Sequence, residues 1–500
     1  MKKAIAIRLT SRYLIPFTYD NCKIKYDEVE QETGAWKVAE KNNREKDIYD
    51  YISDSFIKKD QCESQDKNNA IACVYKYQNL KQNFKLLYKK KETSFNFYIR
   101  EVQMILFQNG IGLLWYAPEM RGGKSGTCEF ESIEDAAEFV CEFKELARRE
   151  ENNCVYKQDL YDYREGMRIQ ESDILPGRKK YQKTIKFSMG VWINEILSTL
   201  NCNLSYYPYR LYGQDKKRIP DKAILFHHGI FYENKIEWEN YAFYLTRGYR
   251  KNYGISKEDK IKIFYPFENI CCYAAGEGCG YYAFSEKNNS AFLQDSNKII
   301  DDYFMIYVLA LYQFYTLLSF SEEIEKRLPV KAENYLDYSP ILMDEINTIT
   351  VKLNIFLARN TYSVVSYIQH HNDFYKYIIK QLRIEENNSR LSIGIDSLGK
   401  LEKTLEKEKE DRKNSFLEKG LSIVSALALI SVWNGIDDFS KMIKNTKCLW
   451  NKNNISGSVC NIVVLIFTVI TFIFLGTFIF QTIKQKVQYR MDRKKWIKEV

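Results

Sequence analysis

Residues 459–480 read VCNIVVLIFTVITFIFLGTFIF, 22 positions without a charge. As a helix rising 1.5 Å per residue the run is about 33 Å long, which matches the hydrocarbon core of a bilayer. A helix that is apolar on every side finds cover only in lipid or deep inside a protein. The segment that follows decides between these. From Gln481 to Val500 there are seven cations, Lys484, Lys486, Arg490, Arg493, Lys494, Lys495 and Lys498, against Asp492 and Glu499, so about half of the chain's net charge of +9 sits there. A basic segment at the end of an apolar run points to a membrane surface, with no direct nucleic-acid contact expected, and the positive-inside tendency puts it in the cytoplasm.

The first residues, MKKAIAIRLTSRYLIPF, lack the apolar run of a signal peptide, so the large N-terminal region is expected in the cytoplasm with its twelve scattered cysteines reduced. With both ends inside, spans must come in pairs. The partner run is 421–436, within LSIVSALALISVWNGIDDF, and an external linker from about Asp437 to Ser458 would join it to the second span. The expected location is therefore the cell's inner (plasma) membrane, crossed twice. The first run is apolar for only about thirteen residues, short for a span unless one face avoids lipid. Ser422, Ser425 and Leu429, at i, i+3 and i+7, share a face; a small, mildly polar stripe suits either close helix packing or the lining of a pore. Asp437 and Asp438 follow Trp433-Asn434-Gly435, either as carboxylates that attract cations or as a water-facing helix end.

A third apolar stretch, YFMIYVLALYQFYTLLSF (303–320), is long enough to span but carries Tyr303, Tyr307, Tyr312, Gln313 and Tyr315, with acids at both ends. Tyrosine in a lipid-facing helix prefers the interfaces, so this stretch is predicted as a buried helix of the soluble body.

The fold class expected is an α/β cytoplasmic body over 1–298, a helical region over 299–420 ending in a long stalk helix, two transmembrane helices within 421–480 (421–436 and 459–480), and a basic cytoplasmic tail over 481–500. Strand-like runs include KAIAIRLT, MILFQNGIGLLWY (104–116), KAILFHH and IKIFYPF. Ile133, Ala136, Phe139, Val140, Phe143 and Leu146 form a helical stripe. Residues 40–70 and 150–182, charged and poor in aliphatics, read as loops or insertions. Leu391, Ile395, Leu398, Leu401 and Leu405 make a seam for helix–helix contact, and LEKEKEDRK (405–413) carries the helix through water toward 421.

Catalysis finds little support. His227-His228 and His370-His371 are adjacent pairs that do not share a face, and no hydrolase, zincin or dinucleotide signature is present. Cys271, Cys272 and Cys279 lack zinc spacing and read as small buried residues. RGGKSGT (121–127) has Pro118 where a phosphate loop needs its first glycine.

The layout of body, long helix, two closely spaced C-terminal spans and basic tail resembles the CorA family of divalent-cation channels. YVLALYQFYTLLSFSEEI (307–324) and NIFLARNTYSVVSYIQHHNDFYKYI (354–378) look like the helices leading into the family's stalk. FQNGIGLLWY and ENICCYAAGEGCGYYAF resemble segments of its bodies. The resemblance implies a pentamer, a pore lined by Ser422, Ser425, Leu429, Asn434 and Gly435, and Mg²⁺ or another divalent cation as cargo. The family ends its first span with Gly-Met-Asn; this chain has Trp433-Asn434-Gly435-Ile436 there, and Asp437 and Asp438 stand as the candidate cation contacts instead. Family members without that motif include membrane effectors beside CRISPR-type antiviral defence systems, gated by a nucleotide signal, so a nucleotide second messenger is an expected ligand. The alternative from a different class is a membrane-anchored interaction protein that conducts nothing.

Overall fold

The computed structural model describes residues 5–20, 25, 27–30, 34–40, 48–57, 70–78, 85–90, 93–120, 126–146, 154–160, 181–187, 189–212, 216–232, 238–249, 254–285, 296–327 and 332–445. The apolar run 459–480 and the basic tail lie outside them. The chain divides into two compact units, 1–319 with 357–389 and 320–356 with 390–500, so residues 299–319 and 357–389, read above with the helical region, belong to the first.

The first unit mixes strands and helices around a sheet of 15 strands. Its central strand is β1 (Ile7–Tyr19). The strands of the unit in chain order after β1 are β2 (Trp36–Val38), β3 (Phe56–Ile57), β4 (Ala72–Tyr77), β5 (Lys85–Lys90), β6 (Thr93–Phe107), β7 (Ile111–Met120), β8 (Cys128–Phe130), β9 (Cys154–Leu160), β10 (Tyr181–Phe187), β11 (Leu204–Tyr206), β12 (Tyr209–Tyr212), β13 (Lys217–Pro220), β14 (Ile224–Phe231), β15 (Phe264–Phe267), β16 (Ile270–Ala275) and β17 (Gly278–Phe284), of which β12 and β13 form a separate two-stranded sheet. The main path runs β10-β9-β5-β6-β7-β1-β14-β17-β16-β15. Pairing is antiparallel except for β14 with β17 and β3 with β4. The quoted FQNGIGLLWY spans the β6–β7 turn, where Gly110 takes φ +84°, and ENICCYAAGEGCGYYAF forms the β16–β17 hairpin. Two segments read as loops contain regular structure: β9 lies within 150–182, and the one-turn helix α1 (Asp50–Ser53) with β3 lies within 40–70.

Side chains of neighbouring residues in a strand point to opposite faces. On one face Tyr13, Tyr116 and Phe97 pack on Phe143 of α2 (Ile133–Lys144). Ser132 caps α2, its Oγ accepting from the Asp135 N–H at 3.1 Å, and the stripe Ile133, Ala136, Phe139, Val140 and Phe143 is buried. After α3 (Met189–Ser198) come α4 (Trp238–Arg247), on the same face as α2, and α5 (Lys257–Ile261). The opposite face is covered by the first part of α6 (Ser296–Arg327), whose Phe304, Tyr307 and Tyr312 meet Trp115, Phe226 and Phe107. The stretch 303–320 is thus a body helix: Ile300–Lys326 is apolar and long enough to cross a membrane, but 78% of its apolar window is buried in the protein.

Arg12 ties that helix to the sheet. Its guanidinium lies 4.7 Å from the Trp115 ring centre and 4.2 Å from that of Phe304, and pairs with Asp301. Removing one member of a shielded ion pair leaves the other charge poorly solvated. Arg12→Met is therefore expected to destabilise the body by about 3 kcal/mol, and Arg12→Met/Asp301→Leu to regain part of it, read by thermal unfolding of the two variants.

In the second unit, the end of α6 meets α7 (Ala332–Asn360) through Phe320 and Phe356, 6.1 Å apart, and through Lys352 and Glu323 at 3.9 Å. After α8 (Gln369–Gln381), the positive φ of Arg383 (+54°) marks the break before α9, which runs for 62 residues from Ile384 to Asn445. At 1.5 Å per residue α9 is about 93 Å long. It includes LEKEKEDRK, and Ile395 of the leucine seam is buried. The helix does not stop at Trp433-Asn434-Gly435. It continues nine residues past Ile436, so Asp437 and Asp438 lie inside it and are not its water-facing end.

Candidate functional site

The residues singled out for a pore all fall in the second half of α9. Just before them the helix carries a run of uncovered apolar side chains: Phe416 is 46% exposed, Leu417 42%, Leu421 71%, Ile423 57% and Val424 43%. At about 100° per residue these five fill an arc of about 160°. Ser422 and Ser425, both exposed, and the backbone position of Leu429 occupy a separate arc of about 60° on the other side, together with Glu418. One side of the helix is thus apolar and the other small and mildly polar.

The continuous helix does not gather the whole candidate set. Relative to the centre of the serine stripe, Asp437 is turned by about 90°, whereas Asn434, Gly435 and Asp438 are turned by more than about 110°, onto the apolar side. Ser422, Ser425 and Leu429 form one line, and Asp437 is the aspartate nearer to it.

The four histidines behave differently from any surface site. His227 and His228 sit in the middle of β14, both buried, and point to opposite faces of the sheet. His227 Nδ1 is 2.7 Å from Ser11 Oγ, and its buried Nε2 has no hydrogen-bond partner. This serine–imidazole pair is sealed, Ser11 being 2% exposed and His227 0%, so it braces β1 against β14 rather than presenting a nucleophile. On the other face His228 stacks on Tyr281, Tyr281 meets Tyr303 at 4.4 Å, and Tyr303 meets His371 at 4.9 Å. His371 Nδ1 in turn lies 3.0 Å from Ser366 Oγ. Burial pushes the His227 pKa down to about 3 and that of His228 to about 4, so both rings are neutral near neutral pH. The sequence places the two histidine pairs about 140 residues apart, and nothing in its local pattern joins them through Tyr281 and Tyr303.

Cys271, Cys272 and Cys279 are fully buried on β16 and β17, their thiols pushed up by burial. In the β16–β17 turn, Glu277 accepts from Arg247 at 2.8 Å and from Tyr249 at 2.7 Å, and its carboxyl pKa is lowered, the two donors and the Arg247 charge outweighing burial. Among the described residues no three His, Cys, Asp or Glu side chains come together as a cation cage. Residues 121–125 of RGGKSGT lie outside the described residues. No family model, curated protein or solved structure matches the chain.

Proposed function

We propose that this chain is a CorA-like, oligomeric membrane channel for cations, opened or closed by a ligand held in its α/β body. The observation that carries the reading is the uncovered apolar arc of α9 from Phe416 to Val424, on a helix that enters 421–436 without a break and precedes the apolar run 459–480. Such an arc needs lipid or neighbouring copies as cover. In a ring of copies, a pentamer by resemblance, the stripe of Ser422, Ser425 and Leu429 faces the axis and the apolar arc faces lipid. Asp437 then lies on the flank between neighbouring copies, the aspartate closer to the axis, where repeated carboxylates concentrate cations such as Mg²⁺. A ligand shifts the open–closed equilibrium only by its difference in affinity for the two states. The candidate ligands are the permeant divalent cation itself and a nucleotide second messenger, the latter as in antiviral effectors of this layout.

The test is cation flux through the full-length protein in liposomes, with and without Mg²⁺ and with a panel of cyclic and adenylated nucleotides. Flux that Ser425→Leu blocks and Asp437→Asn weakens several-fold is the expected result. Silence under every condition from a verified oligomer would overturn the channel and leave a membrane-anchored interaction protein.

A further inference from the structure

The hairpin of β12 and β13 stands apart from the large sheet as a two-stranded sheet of its own. Tyr209 pairs with Pro220, Arg210 with Ile219, Leu211 with Arg218 and Tyr212 with Lys217. One step before Tyr209, the Asp221 N–H donates to the Pro208 carbonyl at 3.1 Å. Residues of an antiparallel ladder alternate between bonding their partner and turning their main-chain groups away. Counting from Pro208, Arg210 and Tyr212 bond across the hairpin, while the N–H and C=O of Tyr209 and Leu211 turn to the outer edge of β12. No other described strand pairs with that edge.

The side chains at the same two positions are uncovered, Tyr209 being 48% exposed and Leu211 51%. Arg218 shares their face, its guanidinium 4.7 Å from the Tyr209 ring centre. Arg210, Lys216, Lys217 and Arg218 are exposed, and Asp215 is the one acid in 209–220, a net charge of about +3. Ile219 and Pro220 are buried and anchor the hairpin against α3. Lysines alone on an edge strand protect it from chance pairing. On this edge Tyr209, Leu211 and main-chain groups that no other described strand pairs stand side by side.

We propose that β12 is a docking strand for an extended, acidic segment of a partner protein, which adds to the hairpin as a third strand. The segment's main chain pairs with Tyr209 and Leu211, its apolar residues at alternate positions cover their side chains, and its acids, on the other face, reach Arg210 and Lys217. Pairing with the same edge of a second copy sets like charges opposite each other and is disfavoured. A nucleic acid would meet the charges but has no strand to offer the edge. The inference is independent of the channel reading.

The experiment uses the full-length protein in nanodiscs of zwitterionic lipid and a fluorescein-labelled (Glu-Val)4 peptide, followed by anisotropy. Saturable binding is expected, weakened at least tenfold by Leu211→Pro, by Arg210→Glu/Lys217→Glu, and by N-methylating alternate residues of the peptide. Leu211→Pro removes an outward N–H and an exposed side chain and leaves the hairpin's own hydrogen bonds in place, so its folding is expected to match wild type, checked by circular dichroism and unfolding temperature. Four results would each overturn the proposal: no binding; binding unchanged by both Leu211→Pro and N-methylation; tighter binding by a U10 RNA or phosphatidylglycerol vesicles; or self-association of the wild type that Leu211→Pro abolishes.

Discussion

Gly280→Ala is expected to destabilise the body by about 3 kcal/mol, a drop of roughly 6–12 °C in unfolding temperature. Gly280 lies in β17, where the ring of Tyr282 folds back across it so that the Tyr282 hydroxyl meets Thr246 Oγ1 at 2.9 Å. A Cβ on residue 280 would stand 2.2 Å from Tyr282 Cε2, 2.4 Å from its hydroxyl and 2.5 Å from Thr246 Oγ1. None of these atoms is the free end of a flexible chain; Tyr282 is fully buried and Thr246 is at 0% exposure. The ring must move, and the overpacking adds to the loss of a buried hydrogen bond. Gly276→Ala is the control, because a Cβ there meets nothing within 4 Å. Thermal unfolding of the two variants in detergent, followed by tryptophan fluorescence, decides the matter. Equal stability would mean that Tyr282 does not lie over Gly280.

Acid is expected to weaken the body through His227 and His228. Unfolded histidine titrates near about pH 6.5, whereas burial lowers His227 to about 3 and His228 to about 4 in the folded chain. Between those limits the unfolded chain binds protons that the folded chain does not. Stability is therefore full above about pH 6.5 and falls as pH drops through the window, on the order of 5 kcal/mol for both groups together at pH 4. His228→Phe isolates one of them: it keeps a ring against Tyr281, and His228 Nε2 has no hydrogen-bond partner to lose. The variant is expected to match or exceed wild type at pH 7 and to lose close to one proton's worth of the pH slope between pH 6 and 4.5. Denaturant midpoints across that range measure it, and carboxylate titration cancels in the difference. Parallel curves for wild type and variant would show that His228 does not carry a depressed pKa.

Legibility differed from element to element for identifiable reasons. The stripe from Ile133 to Phe143 was readable because α2 buries one face and a helical period shows it directly. The interior place of 303–320 was readable from its tyrosines, which lipid would not accommodate in mid-span. β9 was not readable, because CVYKQDL mixes charge into a strand near the rim of the sheet, where hydrophobic alternation is weak. The continuation of α9 past Ile436 to Asn445 was not legible, because the apolar run ends at Trp433-Asn434-Gly435 and a polar stretch carries no sign of whether the helix goes on.

At the candidate site the division is similar. Ser422, Ser425 and Leu429 were placed on one face by spacing alone, since a helix obeys its period wherever it sits. The separation of Asn434, Gly435 and Asp438 from that face depended on the helix running unbroken to Asn445, which spacing did not reveal. The uncovered edge of β12 was invisible in YRLYGQDKKRIP, because a strand's free edge is defined by which other strands come near it.

By itself the sequence determined the apolar run 459–480, the basic tail, the helical character of 384–420 and the mixed strand and helix content of the body, because each follows from composition or period within one stretch of chain. Only the tertiary structure decided that His228 and His371 share one core through Tyr281 and Tyr303, that Arg12 is held between Trp115 and Phe304, and that Gly280 is the floor beneath Tyr282. Those arrangements join residues far apart in the chain, and burial, ion pairing and close packing arise only when the fold brings such residues together.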